Sequence, residues 1–301
     1  MSSSDFQLKP YLQERIQLVA TALDRYLPKS DTLPASLHDS MRYSVFAGGK
    51  RIRPILMMAA CEAVGGNPQQ VLPAACAIEM IHSYSLIHDD LPAMDDDDFR
   101  RGQPTNHKVY GEATAILAGD GLLTEAFILL SSPDVWQDVP AEDRREVIHL
   151  LARSAGSRGM VGGQVVDMES EGKPIDLPTL EYIHTHKTGA LILAAIESGA
   201  ILGGADAVQR RALCRYGEAA GLAFQVADDI LDIVADQKEL GKDVGSDQAR
   251  GKATYPALLG LDGARQRARE LRELAFSSLE IFGESARPLR EIASYIVDRS
   301  F

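Results

Sequence analysis

The chain has 301 residues, of which 45% are hydrophobic and 25% are charged, so it carries enough apolar side chains for a large core. Its 31 Lys and Arg residues against 43 Asp and Glu residues give a net charge of −12, which argues against binding to nucleic acid or to an anionic membrane surface. At first sight the same charge also argues against a small anionic substrate. The three scattered cysteines show no disulfide or zinc spacing, and the first residues show no signal-peptide pattern, so we expect a cytoplasmic protein.

Helical periodicity dominates the sequence from its first segment onward. Leu18, Ala22 and Tyr26 repeat at four-residue spacing, and no stretch rich in Val, Ile and Thr alternates as a strand would. Breakers that contain Pro or Gly separate segments of roughly 15–30 residues, long enough for helices that cross a domain. These breakers lie at residues 28–34, 65–68, 131–133, 172–174 and 203–204. Because no linker or repeat marks a boundary, we expect a single all-α domain over residues 1–301, a large helical bundle around a central cavity.

The closest approach to a membrane span in the sequence is the stretch 189–205. Glu197 interrupts this stretch, and several of its residues are Gly or Ser. Small residues allow helices to pack closely, so the composition favours a buried helix. We therefore expect no membrane span.

The first Asp-rich segment covers residues 89–98 and contains six carboxylates in ten residues. A charge run of this kind is usually a solvated loop, but here residues 80–88 read as a mostly buried helix that delivers Asp89 to the end of a core element. Carboxylates that repel one another at such a place need cations. Oxygen-rich sites suit Mg²⁺, which takes one or two carboxylates directly and keeps bound waters.

The second Asp-rich segment covers residues 224–232. Asp228 and Asp232 lie four residues apart and share one helix face, with Gln225 one turn earlier. The flanking residues are mostly apolar, and carboxylates in a buried helix are costly unless they are paired or bind a metal. This segment therefore predicts a second Asp-rich metal site.

Basic residues accompany both acidic segments. Lys50, Arg51 and Arg53 follow Gly48-Gly49, and Arg100 and Arg101 follow the first acidic run. Such a cluster beside metal sites suggests phosphate clamps, in which Arg acts as a fork and Lys as a point charge. Further cations stand at positions Lys187, Lys242 and Lys252. No P-loop or dinucleotide-binding glycine motif is present, which excludes ordinary nucleotide kinases and dehydrogenases.

In this order, the motifs resemble those of the short-chain trans-prenyl diphosphate synthases, and look most like the bacterial farnesyl diphosphate synthases. The matching blocks are residues 48–54, His82, the two Asp-rich segments with Arg100 and Arg101, Gly163-Gln164 with Asp167, Lys187-Thr188 and residues 241–243. The resemblance implies an Mg²⁺-dependent prenyltransferase with the isoprenoid synthase fold. Such an enzyme joins isopentenyl diphosphate to dimethylallyl or geranyl diphosphate and releases diphosphate. It also implies a homodimer.

The resemblance assigns a role to each candidate residue. Asp89, Asp95 and Asp228, with Asp232 in support, would hold Mg²⁺ on the allylic diphosphate. The groups that would grip the same diphosphate are Arg100, Lys187, Thr188, Gln225 and Lys242. Those that would hold the diphosphate of isopentenyl diphosphate are Lys50, Arg53, His82 and Arg101. Two roles remain possible for Asp167 and Gln164. They would either orient Lys187 or a metal-bound water, or serve a purely structural role.

Product length depends on the residues that precede Asp89. Tyr84 and Ser85 lie five and four residues earlier, about one helical turn. If Asp89 lies at the pocket mouth, Tyr84 can form the floor of the elongation tunnel, which in this family is typical of enzymes that stop at farnesyl diphosphate. The spacer 91–94 occurs also in geranylgeranyl diphosphate synthases, which remain the alternative. The alternative to the tunnel floor is that Tyr84 is an ordinary aromatic residue of the hydrophobic core.

Two further hypotheses compete with this one. Three Glu-x-x-His pairs, Glu79–His82, Glu146–His149 and Glu181–His184, have the spacing of a ferritin-like di-iron carboxylate protein. That hypothesis leaves the Asp-rich segments and the basic set without a role. A non-catalytic subunit related to the synthases should have lost some Asp or basic positions, and all are present.

Overall fold

The computed structural model describes residues 6–136, 139–234 and 253–298. The first half forms α1 (Leu8–Tyr26), α2 (Ala35–Phe46), α3 (Ile52–Ala63), α4 (Leu72–Asp89), α5 (Asn106–Tyr110) and α6 (Glu112–Ser131). Between α4 and α5, β1 (Phe99–Arg100) and β2 (Gln103–Pro104) pair antiparallel as a short hairpin. The second half forms α7 (Ala141–Ala155), α8 (Met160–Ser170), α9 (Leu177–Ile183), a π-turn (His184–Gly189), α10 (Ala190–Leu202), α11 (Ala207–Val234), α12 (Tyr255–Ser278) and α13 (Arg287–Asp298).

The all-α fold class is confirmed, and helices end at each of the predicted breakers. Helices also end at places that the breaker pattern did not show, such as Phe46 and Ala155, and α12 is interrupted at Gly260, whose φ is 73°. Several helices are therefore shorter than predicted. Within the described ranges the hairpin of β1 and β2 is the entire sheet content.

Helix α4 runs through the core and ends at the first Asp-rich segment. It is apolar almost all round, and residues such as Ile78, Met80 and Ile81 are fully buried. A helix of this composition is stable only when other helices cover it, and α6, α3 and α1 pack on α4. The prediction that a buried helix delivers Asp89 to the end of a core element is confirmed.

Helix α10 packs closely on α3, as the small residues of the stretch 189–205 suggested. Gly199 lies directly over the carbonyl of Met57, where a Cβ atom would overlap that oxygen. Most residues of α10, from Leu191 to Leu202, are buried. The expected buried helix is confirmed.

Among the described helices, α6 alone is long and apolar enough by length and composition to cross a membrane. Its most apolar window has a mean hydropathy of 1.6, and 39% of that window is buried. Ala115, Ala118 and Leu122 on its inner side belong to the core, and buried helices of globular proteins meet the same criterion. The stretch 189–205, the closest approach to a span in the sequence, contains α10, whose 13 residues are fewer than the about 20 that a span needs.

Candidate active site

A cavity of about 1100 Å³ opens between α4, α8, the π-turn and α11. Most of the predicted site residues line it, namely Arg53, His82, Tyr84, Ser85, Asp89, Asp95, Arg100, Arg101, Lys187, Thr188, Gln225 and Asp228. Lys50 is not part of this wall. It is exposed, and its Nζ atom lies 5.9 Å from the ring centroid of Tyr295 on α13. Lys242 and Lys252 lie outside the described residues.

The first Asp-rich segment folds back on itself at the end of α4. The backbone nitrogen of Asp95 donates to the carbonyl of Asp89 at 2.8 Å, which closes the turn and brings both residues to one wall of the cavity. Burial raises the pKa of Asp89; the nearby Lys187 ammonium opposes this shift and the Asp95 carboxylate reinforces it. Additional positive charge at this wall would favour the ionised carboxylates.

Asp90 does not share the position of Asp89, because consecutive helical residues point about 100° apart. It is buried, with an exposure of 3%; its two carboxylate oxygens share the Nε hydrogen of Arg100, at 2.7 and 2.9 Å, and Oδ1 also accepts from Nη2 of Arg100. Burial raises the pKa of Asp90 and the Arg100 guanidinium opposes the shift. Asp90 therefore orients Arg100 at the cavity wall. This role was missed from the sequence, although the adjacent positions at a helix end were a usable signal.

Lys187 reaches the cavity from the π-turn and is held by α8. Its Nζ atom donates to Asp167 at 2.6 Å. Desolvation lowers the pKa of Lys187, but Asp167 and Asp89 outweigh it and raise the pKa above its ordinary value, so the side chain stays charged. Helix α8 approaches this closely because Gly163 has no Cβ atom, which would overlap the backbone nitrogen of Lys187. Of the two roles left open for Asp167, the structure supports the orientation of Lys187.

The basic side of the cavity combines α3, α4 and the hairpin. Burial lowers the pKa of His82 well below 6.5, and the guanidinium groups of Arg53 and Arg101 reinforce this shift, so the imidazole is neutral. Arg101 donates to the carbonyl of Gly48, and a Cβ atom on Gly49 would lie 2.6 Å from its guanidinium carbon. The glycine pair thus gives Arg101 its place beside His82.

A buried ion pair supports this basic loop from behind. Arg51 has a φ of 50°, and its side chain donates to Glu79 at 2.5 Å and to the carbonyl of Val45. The side chains of Arg51 and Glu79 are only 4% and 2% exposed. Sequence reasoning counted Arg51 among the phosphate clamps, whereas the structure commits its guanidinium to the interior.

The same contacts exclude the di-iron hypothesis. Glu79 pairs with Arg51, and Glu146 lies 2.6 Å from Arg210. Glu181 accepts hydrogen bonds from the Tyr255 hydroxyl and from Arg267. The three Glu-x-x-His pairs therefore do not assemble into one metal site within the described residues, and this alternative is excluded.

The second Asp-rich segment lies on α11, across the cavity from the first. Asp228 and Gln225 line the cavity together with Thr188 of the π-turn. Asp232 follows one turn later and is not part of the cavity wall. The two acidic walls thus flank a space that also carries Lys187 and Arg100.

Comparisons with known proteins agree with this site. The polyprenyl synthetase family model matches residues 34–280. The chain is 54% identical over 264 residues to a farnesyl diphosphate synthase of Geobacillus stearothermophilus, covering 88% of each, and 48% identical over 298 residues to a geranylgeranyl diphosphate synthase of Cyanophora paradoxa, covering 99% and 98%. The crystal structure of a FPP/GFPP synthase from Zymomonas mobilis superposes with a TM-score of 0.86 at 41% identity, covering 96% of this chain and 98% of that one. The chain belongs to the polyprenyl synthetase family and is a trans-prenyl diphosphate synthase.

Proposed function

We propose that the chain condenses isopentenyl diphosphate with dimethylallyl or geranyl diphosphate and stops at farnesyl diphosphate. The observation that carries the product length is Tyr84, which lines the cavity one turn before Asp89 and is only 6% exposed. Its ring meets His88 edge-on at a centroid distance of 5.7 Å, so two rings narrow this end of the cavity. A packed aromatic floor would leave no room for a fourth isoprene unit. The similar proteins include both product classes, so geranylgeranyl diphosphate is the alternative product.

We infer that Mg²⁺ joins the two acidic walls. Within the described ranges, no three His, Cys, Asp or Glu side chains enclose a metal site on their own. Mg²⁺ does not require such a cage, because it binds through one or two carboxylates and completes its shell with waters and substrate phosphate oxygens. The all-oxygen donors Asp89, Asp95 and Asp228 fit this mode. Bound there, Mg²⁺ would act as a Lewis acid that stabilises the charge on the departing diphosphate.

The charged side chains of the cavity would complete the binding of both substrates. Lys187 and Arg100, each oriented by a carboxylate, place positive charge where an allylic diphosphate would leave. Arg53, Arg101 and the neutral His82 line the same cavity, where they would hold the diphosphate of isopentenyl diphosphate. Thr188 and Gln225 would add hydrogen bonds to the allylic diphosphate, as would Lys242, and Lys50 would reach the other diphosphate from the surface. The apolar wall, formed by Met160, Val161, Val165 and Phe224, would keep water away from the allylic cation while the isopentenyl double bond attacks.

We also propose that the enzyme is a homodimer. Helix α6 carries three large apolar side chains on its outer face, Ile116, Leu117 and Ile128, which are 44%, 58% and 53% exposed. Burying such a face against a second copy would remove it from water. Light scattering on the eluting protein should give twice the chain mass of 32.7 kDa, and a monomer would contradict the proposal.

Incubation with labelled isopentenyl diphosphate and each allylic starter, followed by sizing of the products, tests the proposed function. With Mg²⁺ present we expect a C15 product, and chelation of the metal should abolish it. A C20 product would support the alternative. If no elongation occurs with Mg²⁺ present, the proposed function is wrong.

A further inference from the structure

Asp229 follows Asp228 directly and borders the same cavity, yet its Oδ2 atom is bound within the protein. Its Oδ2 atom accepts a hydrogen bond from Nε2 of His184 at 3.1 Å and another from the backbone nitrogen of Tyr255 at 2.8 Å. Asp229 and His184 are only 7% and 8% exposed. Because a carboxylate oxygen accepts hydrogen bonds, Nε2 of His184 carries the imidazole proton and donates it to Asp229.

Tyr255 extends this contact to two more helices. Its ring stacks on His184 with a centroid distance of 5.6 Å and an interplanar angle of 19°. Its hydroxyl donates to Glu181 on α9 at 3.0 Å, and Arg267 on α12 donates to the same carboxylate oxygen at 3.1 Å. The His184–Asp229–Tyr255 cluster therefore ties together α9, the π-turn, α11 and the start of α12.

The cluster borders the cavity beside groups of the proposed allylic site, since His184 and Asp229 belong to the same lining as Lys187 and Asp228. His184 opens the π-turn, and Lys187 and Thr188 follow within the same turn. On α11 the residue before Asp229 is Asp228, a proposed Mg²⁺ ligand. A π-turn departs from regular α-helical hydrogen bonding, so its geometry depends on what packs against it, and such turns are frequent at functional sites.

We propose that the His184–Asp229–Tyr255 cluster positions the allylic diphosphate site, by holding the π-turn against α11 so that Lys187 and Asp228 face each other across it. This inference rests on the proposed function. It assigns Asp229 to the support of the site and not to metal binding. Arg53 and His82, proposed for isopentenyl diphosphate, lie on α3 and α4, outside the cluster. Loss of the cluster should therefore affect one substrate and spare the other.

The His184→Phe variant tests the hydrogen bond while keeping a ring that can stack on Tyr255. We expect the KM of the allylic diphosphate and the Mg²⁺ concentration at half-maximal rate to rise about tenfold, the lower end of what is typical when a residue that supports a metal site is lost. The KM of isopentenyl diphosphate should stay unchanged. Calorimetric titration with geranyl S-thiolodiphosphate and Mg²⁺ should show the same loss of affinity without turnover.

Two further variants separate positioning from packing. His184→Gln offers an amide donor in place of Nε2, so it should bind the allylic diphosphate more tightly than His184→Phe does. If His184 served only for packing, His184→Phe would be the tighter binder of the two. His186→Phe is the matched control, because His186 lies in the same π-turn as His184 but outside the cluster. Its ring stacks on Tyr182 of α9 at a centroid distance of 3.8 Å. It should leave both KM values unchanged.

Several outcomes would overturn the inference. Equal rises in both KM values, no change in either, or a Phe variant that binds as well as the Gln variant would each contradict it. If His184→Phe fails to fold in a thermal unfolding scan, Asp229→Asn is measured by the same comparison of the two KM values. The proposed function fails separately, by the absence of elongation in the unaltered enzyme.

Discussion

The Nζ atom of Lys187 lies 2.6 Å from Oδ2 of Asp167, and the two residues come from different helical elements, the π-turn and α8. The pair is largely buried, with side-chain exposures of 24% and 15%. Since Lys187 also raises the ionised fraction of Asp89 across the cavity, Asp167 influences the proposed metal site through one intermediate side chain.

Replacing Asp167 with Asn should therefore weaken the binding of the allylic diphosphate. The variant keeps the side-chain volume but loses a charge-assisted hydrogen bond, so we expect a rise in the allylic KM of about tenfold or more. Steady-state kinetics with both substrates measures this change. Glu169→Gln, at an exposed position on the same helix, serves as the control and should behave as the unaltered enzyme.

Gly163→Ala should destabilise the protein where α8 meets the π-turn. The added Cβ atom would overlap the backbone nitrogen of Lys187, which cannot move without moving the turn. We expect the free energy of unfolding to fall by about 1–3 kcal/mol, as for other overpacked sites. In contrast, the Cβ atom of Gly121→Ala would meet the flexible end of Met41 at 3.1 Å and Cδ1 of Leu37 at 3.9 Å, an ordinary contact distance. Denaturant titration of both variants should show a loss for Gly163→Ala alone.

The product should lengthen when the floor of the cavity is removed. Tyr84→Ala deletes the ring that lines the cavity before Asp89, so we expect products longer than C15 in the product-sizing assay. Tyr182→Ala removes a 40% exposed tyrosine outside the cavity and should leave the product unchanged. An unaltered C15 product from Tyr84→Ala would show that Tyr84 is only a core residue.

His82 should make the folded protein less stable as the pH falls. Its pKa is well below 6.5 in the folded state, whereas the unfolded chain returns it to about 6.5. The folded state then binds fewer protons, so this contribution to stability is fully present above about pH 7, begins to be lost near 6.5 and is lost progressively as the pH falls toward the lower pKa of the folded state. His82→Gln should lose less unfolding free energy than the unaltered protein between about pH 7 and pH 5. His149→Gln, at an exposed position on α7, should follow the unaltered protein.

Breaking the pair of Arg51 and Glu79 should cost far more stability than breaking a surface pair. Glu79→Ala leaves a buried guanidinium without its counter-ion, so we expect a loss of about 3–5 kcal/mol in denaturant titration. Glu142→Ala removes an ion pair with Arg145 in which each side chain is 79% exposed. This change should lower the free energy of unfolding by at most about 1 kcal/mol. A comparable loss in both variants would contradict the assignment of the buried pair.

The sequence by itself determined the helical class, the breakers between many of the helices and the residues of the two acidic walls. These features are local. Apolar spacing predicts which face of a helix is buried, and the run of six carboxylates after a buried helix predicts a cation site without knowledge of any neighbour. The net charge of −12 also has a local explanation, because nine of the acids lie in the two Asp-rich segments, whose carboxylates would recruit a diphosphate once a metal is bound.

Only the tertiary structure decided which carboxylate meets which cation. Asp89 and Asp90 are neighbours in sequence, yet one lines the cavity beside Asp95 and the other binds Arg100. Asp228 and Asp229 both line the cavity, yet a carboxylate oxygen of Asp229 is also bound by His184 and by the backbone of Tyr255. The physical reason is that helical periodicity sets the direction of a side chain but not what lies opposite, which depends on how distant helices pack.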